Sequence, residues 1–159
     1  VLQMTCRDNS TIAKLPWINT AGFVDRKAEK EIFDEYQQKL SISTPSPLQR
    51  VVKLSGGNQQ KIVIAKWMSL NPRLLILDEP TRGIDVGSKA EIHKLIARLA
   101  EAGIAVLVIS SEMPEIMGVS DRIITMREGR ATGTFTGDEI TEENLITAIA
   151  HVEATTESA

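Results

Sequence analysis

Two stretches, LSGGNQQK at residues 54–61 and LLILDEPTRGID at residues 74–85, indicate the architecture of this 159-residue chain more clearly than any others. A serine and two glycines in the first stretch predict the start of a helix, where unpaired backbone N–H groups can face an anion. The second is a short apolar run, typical of a strand buried on both faces, that ends in two adjacent carboxylates. Together they predict groups for a phosphate, a metal ion and a water molecule.

The periodicity around these stretches predicts helices in the first third of the chain and a parallel sheet after it. Apolar residues at helical spacing predict one helix at residues 25–40 and a second from Gly57 to about residue 70. A third helix should follow the strand at residues 74–77 and lead into a second buried strand at residues 104–109. This order predicts a right-handed βαβ crossover, so the fold class is α/β. Further predicted elements are short helices at residues 9–15 and 114–118, a hairpin at 128–129 and a terminal helix at 140–150.

Composition excludes several classes of function. The formal net charge is −3 and aromatic residues make up 4%, which argues against a nucleic-acid-binding surface. No apolar run approaches the ~20 residues that span a bilayer. The single cysteine, Cys6, cannot form an internal disulfide. The chain begins with Val1, and we expect it to be part of a longer protein.

The string LSGGNQQK, with LDEP some twenty residues later, resembles the signature and Walker B motifs of ATP-binding cassette (ABC) proteins. QQK and DEPTRGIDVG are similar to the ATPases of bacterial importers of the ribose, galactose, arabinose and xylose type, and SSEMPE resembles their second cassette. The resemblance implies a P-loop NTPase-like core plus part of a helical sub-domain. It assigns residues 1–72 to the helical portion that ends in the signature helix, 73–150 to the Walker B portion and 151–159 to a flexible tail.

The resemblance also implies roles for individual residues. In such cassettes the signature serine and glycines contact the γ-phosphate of an ATP held by the opposite cassette, so this loop would act in trans. Asp78 would hold Mg²⁺, and Glu79 would be the catalytic residue that polarises the attacking water. The implied nucleotide-binding residues are Ser55, Gly56, Gly57, Gln59, Asp85 and Ser111.

Plainer interpretations of the same residues remain open. The two carboxylates could be solvated acids that cap a turn at Pro80. Asp85 is a good N-cap for the helix that follows it, and Ser111 is a good N-cap for a helix through Glu115. Adjacent residues on a strand point to opposite sides, so Asp78 and Glu79 could take different roles.

Two departures from the family pattern are visible. No G-x-x-x-x-G-K-[ST] motif occurs in these residues, so we expect the Walker A strand and loop to be lacking. Ser111 stands where a working cassette has a histidine, and a hydroxyl cannot carry the positive charge of an imidazolium. An incomplete sheet would leave open edges, which predicts marginal stability and a tendency to associate.

The leading interpretation is an ATP-binding subunit that couples ATP hydrolysis to carbohydrate uptake. The resemblance implies ATP and Mg²⁺, an opposing cassette, transmembrane permease subunits and, indirectly, a periplasmic sugar-binding protein, at the cytoplasmic face of the inner membrane. Residues 25–40 would face the permease. The alternative is a degenerate cassette that does not hydrolyse ATP and acts as an interaction or regulatory module. A soluble cassette acting on DNA or ribosomes is disfavoured, because long heptads and basic linkers are absent from the sequence.

Overall fold

The computed structural model describes residues 1–150, and its internal contacts divide the chain into two compact units. The first unit is Val1–Ile109, and the second begins at Ser110. The boundary predicted between residues 72 and 73 separates sub-domains of the family, whereas the two units here are defined by internal contacts. That boundary therefore stays a prediction. The tail predicted at residues 151–159 lies outside the described residues.

The first unit opens with a short helical segment. Helix α1 is Cys6–Thr11, and a 3-10 helix continues it through Ile12–Trp17. Its start differs from the predicted residue 9 because the Thr5 side chain accepts a hydrogen bond from the Asp8 N–H and caps the helix earlier. Pro16 lies inside the 3-10 helix rather than ending the segment before it. A short hairpin follows, in which the two-residue strands β1 (Asn19–Thr20) and β2 (Phe23–Val24) pair antiparallel.

The two longer helices of this region confirm the sequence prediction. Helix α2 is Arg26–Lys39, and Asp25 caps it by accepting hydrogen bonds from two backbone N–H groups. Phe33 is fully buried on its inner face. Helix α3 is Gly56–Met68, preceded by a short 3-10 helix at Val51–Lys53.

A parallel pair of strands completes the first unit. Strand β3 (Leu74–Asp78) pairs with β4 (Ala105–Ile109) in register, so that Leu74 lies opposite Ala105 and Asp78 opposite Ile109. Helix α4, Val86–Glu101, connects them, which confirms the βαβ order, while its handedness stays a prediction. The buried face of α4 carries the four apolar residues expected from its periodicity: Ile92, Leu95, Ile96 and Leu99.

The strands are not buried on both faces, and that expectation was wrong. Leu75 and Leu77 belong to the core, which α3 and α4 share, whereas Leu74 and Ile76 on the other face are 53% and 57% exposed. Leu107 of β4 is 49% exposed on the same pattern. The helices of this unit therefore pack against one face of the two-stranded sheet, and its other face presents apolar side chains.

The second unit is a helix, a hairpin and a helix. Helix α5 is Met113–Val119, with Pro114 in its first turn as expected. Strands β5 (Arg122–Arg127) and β6 (Arg130–Thr136) pair antiparallel through the predicted turn. Glu128 and Gly129 both have positive φ, as a type I′ turn requires. A 3-10 helix at Gly137–Glu139 and helix α6, Glu142–Ala150, follow.

Candidate functional site

The N-terminus of α3 is an open helix start, capped by a serine. Ser55 is the N-cap, and its Oγ accepts from the backbone N–H of Asn58 at 3.5 Å and from the Asn58 side-chain amide at 3.0 Å. The hydrogen bonds described for residues 1–150 do not use the N–H groups of Gly56 and Gly57, nor the hydroxyl proton of Ser55. Three donors are therefore available at the positive end of the α3 dipole.

The two glycines also allow a close approach between this helix start and the segment around Asp85. A Cβ added at Gly56 would lie 2.8 Å from Cγ2 of Ile84, and one added at Gly57 would lie 2.7 Å from Cβ and Oγ of Ser88. Both distances are far inside the 3.5–4.0 Å at which carbon atoms pack. The structure thus brings Ser55, Gly56 and Gly57 together with the start of α4.

Asp85 is the N-cap of α4, as its plainer interpretation predicted. Its carboxylate accepts from the Ser88 N–H at 2.9 Å and from the Ser88 hydroxyl at 2.7 Å. The pKa of Asp85 lies below its ordinary value, first because of the backbone hydrogen bond from Ser88 and then because of the hydroxyl. The exposed carboxylate consequently stays ionised beside the glycines of α3.

Asp78 and Glu79 stand at the carboxyl end of β3, but they are not related by strand geometry. Glu79 follows the strand in the left-handed region, with φ of 47°, and its N–H donates to the Ile109 carbonyl at 2.8 Å. The expectation that alternation along a strand separates the two side chains was therefore wrong, because the chain turns at Glu79. A non-glycine residue in this conformation costs about 1–3 kcal/mol and is often found at functional positions.

The carboxylate of Asp78 is exposed, and no hydrogen bond or ion pair within the described part of the chain engages it. It is therefore available to a cation or to a cation's water. Residues 1–150 hold no cluster of three or more His, Cys, Asp or Glu residues that could bind a metal ion. A single carboxylate can serve Mg²⁺ only where phosphate oxygens and water complete the coordination.

Gln59 is turned back onto its own loop. Its side-chain Nε2 donates to the Leu54 carbonyl at 2.9 Å. The polar residue that contacts Ser55 is instead Asn58, which the sequence analysis did not single out. Its place as the third residue of α3, where a side chain reaches back to the N-cap, is the signal that could have identified it.

Lys61 was also missed, because a lysine on an otherwise polar stretch is usually solvated. Its side chain is only 7% exposed, and Nζ donates to the Ser41 carbonyl at 3.0 Å and to the Glu91 carboxylate at 2.8 Å. This hydrogen bond lowers the pKa of Glu91. Lys61 therefore links α3 to α4 one helical turn after Gly57.

Ser111 belongs to the second unit, outside the unit that carries the other predicted site residues. The expectation that it caps α5 was wrong, because the N-cap is Glu112. It is Ser110 whose hydroxyl accepts from the Glu112 N–H at 3.0 Å and donates to Glu115. A nucleotide-binding role for Ser111 stays a prediction.

No helix within residues 1–150 combines the length and apolar character needed to cross a membrane.

Known proteins that resemble this chain are ATP-binding proteins of ABC transporters. Residues 2–82 match the family described as "ABC transporter". The chain is 47% identical to the ribose import ATP-binding protein RbsA of Rhodopirellula baltica over 148 residues, which are 93% of this chain and 29% of that protein. It is 55% identical to a putative ribose/galactose/methyl galactoside import ATP-binding protein of Rhizobium johnstonii over 121 residues, 76% of this chain and 24% of that protein. The chain thus spans less than a third of the length of these relatives.

Solved structures show the same fold. A nucleotide-free ATP-binding cassette from an ABC transporter superposes with a TM-score of 0.77 at 19% identity, covering 91% of this chain and 60% of that one. A dimeric cassette in a post-hydrolysis state with ADP and Pi gives a TM-score of 0.69 at 22% identity, covering 86% of this chain and 58% of that one. The α/β architecture is therefore that of part of an ATP-binding cassette.

Proposed function

Since the chain belongs to the ABC transporter family, we propose that it is the signature-bearing part of an ATPase that drives carbohydrate import. The observation that carries the proposal is the open start of α3. There the Ser55 hydroxyl proton and the amides of Gly56 and Gly57 are unused by the described hydrogen bonds. Several unused donors at one helix start suit the γ-phosphate of ATP, which spreads its charge over three oxygens.

This loop acts in trans, on an ATP held by an opposing cassette. The donors lie at the start of α3, close to Ile84 and Ser88, the residues on either side of the Asp85 cap of α4. An ionised carboxylate next to phosphate donors would repel a phosphate at close range, so Asp85 serves the contact between cassettes rather than the phosphate itself. Gln59 contributes by donating a hydrogen bond to the Leu54 carbonyl, which stabilises the backbone conformation just before Ser55.

Asp78 and Glu79 serve a nucleotide on their own side. The exposed carboxylate of Asp78 would hold Mg²⁺, and the ion would supply charge neutralisation on the phosphate oxygens. Glu79 polarises the attacking water, a role worth roughly 10²–10⁴ in rate.

The proposed partners are an opposing cassette, transmembrane permease subunits and, indirectly, a periplasmic sugar-binding protein. The printed names of the relatives at 47% and 55% identity, which describe ribose and galactoside import, support a carbohydrate as the transported class. The protein would then work at the cytoplasmic face of the membrane, with α2 on the side of the permease.

The competing proposal is a degenerate cassette that presents its signature loop without hydrolysing ATP at its own site. Ser111 favours it, because a hydroxyl stands where the family has a histidine. In that case the partner site would still need Ser55, while Glu79 would be idle.

One experiment tests both proposals. In the native protein that carries this sequence, purified with its membrane subunits, ATP hydrolysis is compared for Ser55→Arg and Glu79→Gln. Loss of turnover in both variants supports a hydrolysing cassette, and loss in Ser55→Arg alone supports the degenerate one. Unchanged turnover in Ser55→Arg would contradict both.

A further inference from the structure

We propose that Asn58 is a positioning residue that aims the hydroxyl proton of Ser55 at the bound phosphate. The inference rests on the proposed function of Ser55 and deepens it. Asn58 does not touch the nucleotide in this account. It acts by fixing the direction in which the Ser55 hydroxyl donates its proton.

The orientation of the Asn58 amide is set by its neighbour on the loop that follows α2. The backbone N–H of Ser43 donates to Oδ1 of Asn58 at 2.7 Å. A backbone N–H can only donate, so the amide oxygen must face Ser43 and the amide nitrogen must face the other way. On that other side lies Oγ of Ser55, at 3.0 Å from Nδ2.

The consequence falls on the hydroxyl of Ser55. Its oxygen accepts from Nδ2 of Asn58 and from the Asn58 backbone N–H, which engages both lone pairs. The hydroxyl proton cannot point at either of these donors and must be donated elsewhere. It therefore joins the amides of Gly56 and Gly57 as a donor at the start of α3.

An isosteric substitution reverses this polarity. In Asn58→Asp the oxygen facing Ser43 is kept, but the group facing Ser55 becomes an acceptor. The Ser55 proton would then turn inward to the carboxylate, and a negative charge would stand beside the phosphate. Asn58→Ala instead removes the constraint and leaves the hydroxyl free to rotate.

The test measures ATP hydrolysis by the native protein that carries this sequence, purified with its membrane subunits. The variants are Asn58→Asp, Asn58→Ala, Ser55→Ala and the double variant of the two alanine changes. We expect Asn58→Asp to lower kcat roughly tenfold and Asn58→Ala about threefold, the range expected from losing one oriented hydrogen bond. KM for ATP should stay within about twofold, since ground-state binding is made by the opposing cassette. Asn58→Ala should have no further effect once Ser55 is alanine.

Three results would overturn the inference while leaving the proposed function intact. They are wild-type kcat in Asn58→Asp, an undiminished Asn58→Ala effect in the Ser55→Ala background, and a loss of kcat that merely follows a lowered unfolding temperature. If Asn58→Asp does not fold, the alanine cycle decides alone. If instead the Ser55→Arg variant hydrolyses ATP as fast as the wild type, the proposed function itself fails.

Discussion

Gly57 gives the sharpest prediction about stability, because the space for a side chain there is occupied by Ser88. An alanine Cβ would lie 2.7 Å from both Cβ and Oγ of Ser88. Forcing a methyl group into such a contact costs about 1–3 kcal/mol. The better helix propensity of alanine returns about 0.5–1 kcal/mol. Taking the middle of each range, Gly57→Ala should lower the free energy of unfolding by about 1.25 kcal/mol.

The assay is thermal unfolding of the chain followed by circular dichroism. For a unit of about 100 residues, 1 kcal/mol corresponds to roughly 4–8 °C, so a decrease of about 5–10 °C is expected for Gly57→Ala. Both Ser88→Gly and Ser88→Ala lose the hydroxyl bond to Asp85, so the effect of Gly57→Ala is compared within each background. In Ser88→Gly, which lacks both clashing atoms, Gly57→Ala should cost little stability, whereas in Ser88→Ala, which keeps the Cβ, it should still be destabilising. Equal effects of Gly57→Ala in the two backgrounds, or a Gly57→Ala protein as stable as wild type, would refute the packing argument.

Three further predictions follow from the described contacts. Glu79→Gln should lower ATP turnover by roughly 10²–10⁴ while ATP binding, followed by calorimetry, persists; turnover close to wild type would exclude Glu79 as the base. The lowered pKa of Glu91 means that its pair with Lys61 stabilises fully above the ordinary value of 4.5 and is lost as pH falls through the lower folded pKa. The difference in unfolding temperature between wild type and Glu91→Gln should therefore shrink as pH falls below 4.5; a difference that stays constant would contradict this. Replacing Ile76 and Leu107 by threonine should reduce concentration-dependent association in sedimentation, because both are about half exposed on the open sheet face; unchanged association would place the contact elsewhere.

The helices could be predicted from the sequence because their signals are local. Asp25, Ser55 and Asp85 each stand immediately before an amphipathic run, and each is an N-cap in the structure. The turn at Glu128 and Gly129 is local in the same way. At these positions the cap or turn depends on a few neighbouring residues, so the local sequence was sufficient to predict it.

What failed depends on contacts between distant segments. A continuous apolar run such as residues 74–77 indicates a buried strand, but it does not say whether a second layer covers the other face. The burial of Lys61 needs Ser41 and Glu91, which are 20 and 30 residues away. The turn of Glu79 out of the strand is held by Ile109, on the neighbouring strand.

In the stretch LSGGNQQK, the sequence indicated a phosphate site but not which polar side chain contacts Ser55. Gln59 and Asn58 are neighbours of similar chemistry, and only the helical geometry separates them. The third residue of α3 reaches back to Ser55, whereas the fourth reaches Leu54. Likewise, Ser110 rather than Ser111 bonds the start of α5, a difference of one residue that periodicity does not resolve.

The proposed function depends above all on contact between Ser55 and a phosphate held by the opposing cassette. The most direct measurement is vanadate-dependent photocleavage of the native protein in the presence of Mg-ATP, with the cut site located by mass spectrometry. Cleavage is expected at Ser55 and should disappear when the phosphate-loop lysine of the opposing cassette is replaced. Cleavage at Ser55 that survives that replacement, or cleavage that spares Ser55 in the trapped wild-type protein, would contradict it.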